Sequence, residues 1–354
     1  MARSWTIFEG QVMTRSTSAR FLHVANGTCT TRLIEAAGIP GRLSIWADPL
    51  HEGPVPGKLT DDELLDVRGR YLAGPADITF KAWTGRDPSL DPINDLREWR
   101  RAIAQHASYD ELILWYEHDL FDQLNLIQLL AWIRTCLPAA KPVSLVCIGS
   151  FPGRPQFKGL GELTPDELAP LLETRQRVGE PQYVLAERAW QAFREPAPEA
   201  LDEFRLGDTS ALPYLAAAVT RFLQEYPWTG DGLSRSERRL LELAAGDGVA
   251  LSKAFPRMSD GERAYYITDG ALADLAEELS ATTPPLLTFV VTQTTGGKGL
   301  RGSVTLTDAG RAVLAGRQDR VALCGVDRWL GGVHLRGNET AWRWDDARQR
   351  IVER

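Results

Sequence analysis

The chain has 354 residues, of which 44% are hydrophobic and 25% charged, and these ordinary values predict a globular protein of two or three domains and exclude wholesale disorder. Lys and Arg number 40 against 47 Asp and Glu, so the net charge is -7, which disfavours the basic surface that duplex nucleic acid or an anionic membrane requires. The four cysteines form no C-x-x-C pair and no long apolar run occurs, so we expect a cytoplasmic protein with reduced thiols.

The first 155 residues alternate apolar runs with helical patterns. The apolar runs lie at residues 21–26, 42–50, 111–119 and 142–150, and helical patterns separate them. Apolar strands separated by helices indicate a parallel sheet that is covered on both faces. The pattern therefore predicts a Rossmann-like α/β domain over residues 1–155, with a doubly wound, mostly parallel sheet of four or five strands.

The rest of the chain divides into two further predicted units. Residues 156–231 carry helical patterns, which predict an α-helical middle section. Residues 232–354 begin with two helical patterns and continue as strand, Gly-rich turn, strand and helix, which predicts a winged-helix-like α+β domain. The chain closes with a predicted hairpin whose turn we place at Gly337 and Asn338.

Polar residues collect where the predicted parallel strands end. Ligands bind outside the carboxyl ends of an open parallel sheet, because connecting loops and helix N-termini converge there. Three of the five histidines fall at the first three of these junctions. The candidate residues at the four junctions are His23, Asn26, Gly27 and Thr28, then Asp48, His51 and Glu52, then Trp115, His118 and Asp119, and finally Ser150.

The first junction, Asn26-Gly27-Thr28, is a candidate anion site. A helix start at this turn would direct backbone N–H groups and a positive dipole end toward the sheet edge, where a phosphate or carboxylate is stabilised. The turn lacks both common phosphate-binding glycine signatures, so an ordinary helix cap remains open as the alternative.

The second and third junctions carry the candidate catalytic residues. We expect His118 to act as general acid or base with Asp119 orienting it, and Asp48 and His51 to form a second acid/base or metal-ligand pair. Histidine and carboxylates suit zinc, manganese or iron, but no spacing demands a metal, so the cofactor stays unknown. The structural alternatives are a solvated turn for the second junction and a helix N-cap for Asp119.

The remaining candidates would bind substrate. His23 is expected to hydrogen bond to the substrate, although a histidine inside a buried strand is also typical of a satisfied core residue. Glu52, Trp115 and Ser150 adjoin the same edge and are taken as substrate neighbours.

Three segments resemble the motifs of the bacterial family known as domain of unknown function 1835. They are LHVANG from Leu22, WADPLHEGPVP from Trp46 and LWYEHDLFDQL from Leu114, and the resemblance covers residues 20 to 150. It implies the same domain layout and adds Gln123 to the polar cluster as a substrate-binding candidate. The family's first turn often contains Asn-Gly-Asp, whereas Thr28 replaces that Asp here. The resemblance names no reaction.

The sequence thus predicts an enzyme that acts on a small anionic, phosphorylated or nucleotide-like substrate by hydrolysis or group transfer. The alternative is a non-enzymatic ligand-sensing regulator or adaptor, whose winged-helix-like domain contacts DNA or a protein or peptide partner. Nucleic acid is disfavoured, because the would-be recognition helix TDGALADLAEELSA is acidic, and Lys298 and Arg301 are the main counter-evidence. A homo-oligomer or a peptide held near Trp329, Trp342 and Trp344 stays open, and no membrane partner is expected.

Overall fold

The computed structural model describes residues 20–73, 91–291 and 302–354. The strands are β1 (Phe21–Ala25), β2 (Arg42–Ile45), β3 (Gly53–Pro54), β4 (Glu111–Glu117), β5 (Val143–Ile148), β6 (Gln176–Arg177), β7 (Val249–Ala250), β8 (Leu287–Val290), β9 (Ser303–Leu306), β10 (Val326–Gly331), β11 (Val333–Gly337), β12 (Trp342–Asp345) and β13 (Arg350–Glu353). The α-helices are α1 (Thr28–Ala36), α2 (Asp61–Leu72), α3 (Pro92–Ala104), α4 (Leu120–Cys136), α5 (Pro165–Leu168), α6 (Glu180–Phe193), α7 (Glu199–Phe204), α8 (Leu215–Leu223), α9 (Arg235–Ala244), α10 (Leu251–Met258), α11 (Asp269–Ala281), α12 (Asp308–Leu314) and α13 (Arg320–Cys324).

The fold is mixed α/β and contains a five-stranded sheet in the order β2-β1-β4-β5-β6. The first four of these strands are parallel, and β6 pairs antiparallel with β5. The prediction of a mostly parallel sheet of four or five strands is therefore confirmed. Its strands are shorter than the apolar runs, because the chain leaves the sheet as loops after Ala25, Ile45, Glu117 and Ile148.

Both faces of the central strand β4 are buried, as its unbroken apolar sequence requires. Leu112, Leu114 and Tyr116 belong to one hydrophobic core, whereas Ile113 and Trp115 belong to another on the opposite face. Glu117 follows on the same face as Trp115 because side chains alternate along a strand. The apolar strand thus carries a carboxyl group into the sheet edge.

The helices α2, α5 and α9 begin with the same N-cap hydrogen-bond pattern. Three helices begin at a Ser or Thr whose side chain accepts a hydrogen bond from the backbone N–H of a Glu three residues later, while that Glu bonds back. The pairs are Thr60 and Glu63 at α2, Thr164 and Glu167 at α5, and Ser234 and Glu237 at α9.

The middle section is less helical than predicted at its start. The segment 163–178 lies within the section that was predicted to be α-helical, but α5 covers only four residues, and the chain then passes through a 3-10 helix, Ala169–Thr174, into β6. Pairing with the open edge of β5 supplies the backbone hydrogen bonds that a longer helix would have made.

Three hydrophobic cores hold the described residues together. One covers the sheet face toward α2, α3 and α4 and includes the middle helices and the C-terminal strands. A second lies within 233–314, and a third covers the opposite sheet face with residues 157–168. The strand β3 pairs in parallel with β10, so the end of the chain is bound to the loop after β2. The C-terminal strands β10 to β13 share a hydrophobic core with the predicted first domain. The predicted domain boundaries remain predictions.

The prediction of a hairpin turn at Gly337 and Asn338 was wrong, because β10 and β11 turn at Gly331 and Gly332 and the last hairpin is formed by β12 and β13. Gly331 has a φ of 61°, and a Cβ there would lie 2.4 Å from the carbonyl oxygen of Phe193. Only glycine fits both the left-handed conformation and this close approach.

No helix in the three described ranges is long and apolar enough to cross a membrane. All four cysteines are unpaired thiols, and Cys29 is the exposed one.

Candidate functional site

The chain reverses direction across the sheet between β1 and β4. From β1 the chain continues to β2 on one side, and from β4 it continues to β5 on the other, although β1 and β4 are neighbours. A crevice forms at such a switch point, outside the carboxyl ends of the two strands. Helices α1 and α4 both begin there, at Thr28 and Leu120.

Three carboxyl groups meet at this switch point. The side-chain N–H groups of Asn26 donate to Oε1 of Glu117 at 3.1 Å and to both oxygens of Asp122 at 3.0 Å. Asp122 also accepts the backbone N–H of Glu117 at 2.5 Å, and Asp119 accepts the backbone N–H of Asp122 at 2.9 Å. Thr30 donates to Oδ1 of Asn26 at 2.7 Å and so orients the amide. Asn26 is therefore the shared donor of the cluster.

Burial and mutual repulsion make these groups weak acids. Burial raises the pKa of Glu117 to about 8, and the negative charge of Asp119 adds to this effect. The pKa of Asp122 is raised well above its usual range by burial and by its two carboxyl neighbours. Burial raises the pKa of Asp119 to about 6, although its N-cap bond from Asp122 and the charge of His51 act against this. The cluster thus retains protons at neutral pH.

A cavity of about 360 Å³ opens onto this cluster. The first turn of α1, including Gly27, lines one wall, and Gly27 has no side chain to cap that helix. Glu117 and Asp119 line another wall, and Lys158 supplies the positive side chain. The complete lining is Asn26, Gly27, Thr28, Cys29, Thr30, Glu117, Asp119, Phe121, Lys158, Gly159, Gly161, Glu162, Tyr265, Tyr266 and Thr268.

The C-terminal part of the chain closes this cavity. Tyr265, Tyr266 and Thr268 contribute to its lining although they lie more than 140 residues after β4. The backbone N–H of Leu120, in the first turn of α4, donates to the carbonyl oxygen of Ala264 at 2.6 Å. This bond attaches the 264–268 segment directly to the sheet edge.

The lack of a side chain at Gly159 leaves room for the carboxyl group of Glu117. A Cβ at residue 159 would lie 2.1 Å from Oε2 of Glu117, while the N–H of the next residue, Leu160, donates to Oε1 at 2.6 Å. We expect Gly159→Ala to displace the carboxyl group and to lower the free energy of unfolding by about 1–3 kcal/mol, as overpacking does. Gly161→Ala is the matched control, because a Cβ there would meet only the Cβ of Cys29, at 3.9 Å. Urea denaturation of the two variants measures the difference, and equal stabilities would contradict the steric argument.

Asp48 lies beneath the second junction in a buried ion pair with Arg68. Nη2 of Arg68 is 2.6 Å from Oδ1 of Asp48, and Nη1 donates to the carbonyl oxygen of Glu52 at 2.7 Å. The backbone of Asp48 is also held from the other side by Asn125, through two bonds of 2.9 Å. The structure therefore places Asp48 as the anchor of the loop rather than on a cavity wall.

His51 and Glu52 face a different and larger cavity, of about 760 Å³. The ring of His51 lies edge-on to Phe121 and Tyr265, and its Nε2 is 3.4 Å from Oε1 of Glu52. Phe121 lines the smaller cavity and Tyr265 lines both. His51 is thus part of the wall between the two cavities.

His118 points into an aromatic cluster and lines neither cavity. Its ring packs against Phe157, Tyr214 and Tyr266, and its Nε2 is 3.4 Å from the hydroxyl oxygen of Tyr266. Burial lowers the pKa of this imidazole, and the carbonyl groups of Ile148 and Arg263 offset that effect only in part. A neutral ring bonded toward Tyr266 can position that tyrosine in the smaller cavity.

His23 and Trp115 pair with each other below the sheet edge. The indole N–H of Trp115 donates to Nδ1 of His23 at 3.0 Å, and Nε2 of His23 is 3.2 Å from the carbonyl oxygen of Pro40. Because Nδ1 accepts, the ring proton resides on Nε2, and burial lowers the pKa of this histidine. Both ring nitrogens have hydrogen-bond partners. This is the alternative that the sequence left open, a histidine satisfied inside the core.

The two remaining predicted site residues, Gln123 and Ser150, lie outside both cavities. Nε2 of Gln123 donates to the carbonyl oxygen of Glu117 at 2.6 Å, so Gln123 supports the cluster from behind. Ser150 is exposed and lines neither cavity.

The chain was also compared with known proteins. No family model and no curated protein matches it. The resemblance to domain of unknown function 1835 therefore stays a prediction, and the site is interpreted from its own geometry.

No three His, Cys, Asp or Glu side chains in the described part of the chain are placed together as ligands of one metal ion. Glu117 and Asp122 accept hydrogen bonds from the amide of Asn26 and from backbone N–H groups.

Asn26, Gly27, Thr28 and Asp119, which the sequence placed at one sheet edge, line one cavity, together with several residues that the sequence analysis did not name. Glu117 lies at the predicted third junction but received no role from the sequence, although a carboxylate directly followed by His118 and Asp119 was a usable signal. Lys158, Tyr265 and Tyr266 reach the cavity from distant segments and carry no local signal.

Proposed function

We propose that the chain is an enzyme that hydrolyses, or transfers a group from, a small anionic phosphorylated substrate bound in the smaller cavity. The observation that carries this proposal is the pair Glu117 and Asp119, two cavity-lining carboxyl groups whose pKa values are about 8 and about 6. Neighbouring groups whose environments separate their pKa values are the usual source of one acid and one base.

The N-terminus of α1 and Lys158 would hold the anion. The first N–H groups of a helix have no intrahelical partner and carry the positive end of its dipole, so they bind a phosphate group. Lys158 is exposed and its ammonium lies 5.7 Å from the ring centre of Tyr266, within the same lining. These cationic elements line the same cavity as Glu117 and Asp119.

Proton transfer would follow from the two pKa values. At neutral pH Asp119 is mostly ionised and accepts a proton from the attacking water, while Glu117 is protonated and donates to the leaving oxygen. Both Asn26 and Leu160 donate to Oε1 of Glu117, which leaves the proton on Oε2. The new bond joins the water oxygen to phosphorus, the bond from phosphorus to the leaving oxygen breaks, and the leaving group departs as an alcohol. Asp122 accepts from the side-chain amide of Asn26, and its raised pKa keeps it protonated beside the two reacting carboxyl groups.

The test is hydrolysis of a panel of phosphorylated metabolites by the purified protein, followed by Asp119→Asn on the best substrate. We expect kcat/KM to fall about 100-fold, the typical contribution of a general base. Glu162→Gln is the control, since Glu162 lines the same cavity but is exposed. An Asp119→Asn variant with unchanged kcat/KM would refute the assignment.

Binding can be tested apart from catalysis through Cys29, the exposed thiol in the first turn of α1. We expect inorganic phosphate to slow the reaction of Cys29 with a maleimide in the wild type and equally in Asp119→Asn. Labelling of Cys29 that phosphate does not slow would contradict anion binding at this helix.

The fold also supports a more specific assignment of two parts of the chain. The parallel strands with a switch-point crevice support a Rossmann-like first domain. The order α9, β7, α10, α11, β8, β9, with the sheet order β7-β9-β8, supports a winged-helix-like unit. The predicted cytoplasmic location is part of the same proposal.

The regulator alternative rests on that winged-helix-like unit. Helix α11 carries four acidic residues and no Lys or Arg, which opposes contact with phosphates of DNA. Lys298 and Arg301 lie outside the described residues. Trp344 is fully buried, and therefore the aromatic peptide groove predicted at the C-terminal tryptophans lacks one of its three members. A protein partner on the exposed face of α11 remains the form of this alternative that the charges favour.

A further inference from the structure

Tyr266 lines the smaller cavity, although the proposed function gives it no role. It belongs to the 264–268 segment, which the backbone bond from Leu120 to Ala264 attaches to the first turn of α4. Asp119, the proposed base, is the N-cap residue of the same helix. The segment therefore holds Tyr266 close to the end of the helix that carries the base.

Two side chains from earlier segments fix the position of the Tyr266 side chain. Nε2 of His118 is 3.4 Å from the hydroxyl oxygen, and the two rings lie edge to face with their centres 6.0 Å apart. The ammonium of Lys158 lies 5.7 Å from the centre of the Tyr266 ring, which is within the range of a cation–π contact. One contact fixes the hydroxyl end and the other fixes the ring, so the hydroxyl has a defined place at the cavity.

The hydroxyl of Tyr266 lies within the electrostatic field of the carboxyl cluster. Partial burial raises its pKa to about 12, and the negative charges of Asp119 and Glu117 add to this effect. An ionised tyrosine would add a further negative charge beside these carboxylates, so the hydroxyl keeps its proton at neutral pH. It is thus a hydrogen-bond donor rather than a base, and such donors bind the oxygens of an anion.

The protonation of His118 decides where the hydroxyl proton points. Burial lowers the pKa of His118, so at neutral pH its ring is neutral and carries a single N–H. With that proton on Nε2, the ring donates to the hydroxyl oxygen of Tyr266, and the hydroxyl proton is left for an acceptor in the cavity. His118 lines neither cavity, so it acts on a substrate only through Tyr266.

We propose that Tyr266 binds the substrate directly, by donating a hydrogen bond from its hydroxyl to a phosphate oxygen, and that His118 is a positioning residue that orients this hydroxyl. Both roles rest on the proposed function, because the phosphate is the one held by the first turn of α1 and by Lys158. His118 then has a role other than the acid or base expected from the sequence. The proposed active site is incomplete without the C-terminal part of the chain.

Titration of inorganic phosphate against the maleimide labelling of Cys29 in the full chain tests the contact of Tyr266. The phosphate concentration that halves the labelling rate should rise roughly tenfold in Tyr266→Phe, since a hydrogen bond to a charged group is lost while the ring contact with Lys158 is kept. Tyr214→Phe is the matched control, because Tyr214 packs against the same His118 ring, with centres 6.1 Å apart, but lies outside the cavity lining. Its phosphate titration should match that of the wild type.

A double-mutant cycle tests the positioning role of His118. His118→Leu should weaken phosphate protection in the wild-type background but not in Tyr266→Phe, because no hydroxyl remains there to be oriented. His118→Gln should retain most of the protection, since its amide offers a donor near the position of Nε2. A histidine that only packs in the core would instead weaken protection equally in both backgrounds.

Failure of these roles can be told apart from failure of the proposed function. Phosphate that does not protect Cys29 in the wild type contradicts the anion site and the role of Tyr266 together. Normal phosphate protection in Tyr266→Phe, with kcat/KM lost in Asp119→Asn, overturns the role of Tyr266 and leaves the proposed function in place. Equal weakening in Tyr266→Phe and Tyr214→Phe, or an effect of His118→Leu that is the same with and without the Tyr266 hydroxyl, also overturns the proposal.

Discussion

Arg68→Met is expected to lower the free energy of unfolding by about 3–5 kcal/mol, because it leaves the carboxylate of Asp48 buried without its partner. Both side chains are almost fully inaccessible, with 1% exposure for Arg68 and 3% for Asp48. Arg68 also donates to the carbonyl oxygens of Glu52 and Pro49. The substitution therefore removes the group that holds the loop between the two cavities.

Denaturant unfolding of wild type and variant measures this loss. Arg97→Met is the control, because Arg97 makes an ion pair of 3.1 Å with Asp66 in which both side chains are about half exposed, and such surface pairs contribute about 0–1 kcal/mol. Adding Asp48→Asn to Arg68→Met should recover part of the loss, since no unpaired charge then remains buried. A loss below 1 kcal/mol in Arg68→Met would show that Asp48 is hydrated and accessible, as its predicted catalytic role required.

Glu117→Gln is expected to change how stability depends on pH. The folded-state pKa of Glu117, about 8, is above the usual value of 4.5, so the folded protein binds this proton more tightly than the unfolded chain. The resulting stabilisation is complete below pH 4.5 and is lost as the pH rises through about 8. At about 1.4 kcal/mol for each unit of pKa, the effect amounts to a few kcal/mol.

The variant removes this contribution, because an amide is neutral at every pH. Glu117→Gln should therefore match the wild type near pH 4.5 and exceed it in stability at pH 9, where the wild type must bury a charge. Thermal or urea unfolding across this range is the measurement. Glu173→Gln, at a side chain that is 83% exposed, should leave the pH dependence unchanged. A wild-type stability that does not fall between pH 4.5 and pH 9 relative to Glu117→Gln would mean that Glu117 is ionised in the folded state.

The sheet edge at which the polar residues gather was predicted from the sequence alone. The apolar runs predicted the parallel strands, and parallel strands bring their carboxyl ends to one edge. Asn26, Gly27, Thr28 and Asp119 meet there for that reason. The spacing of Asp119 before α4 also predicted its N-cap bond, which depends only on neighbouring residues.

The roles of the histidines could not be predicted from the sequence. A histidine at the end of a strand can turn toward a cavity or into the core, and the choice depends on groups far away in the chain. His23 is taken up by Trp115 and Pro40, His118 by Tyr266 and two other aromatic rings, and His51 by the wall between the cavities. Local pattern carries no information on such partners.

By itself the sequence determined the mostly parallel strands between helices, the N-cap at Asp119 and the edge at which polar residues gather, because these depend on period, on neighbouring residues and on the geometry of parallel sheets. The tertiary structure decided which carboxyl groups become acids and which become anchors. Asp48 lies against Arg68 in a buried ion pair, whereas Glu117 and Asp122 lie against each other and burial raises both of their pKa values. The desolvation and the charges that set a pKa come from whatever the fold packs around the group.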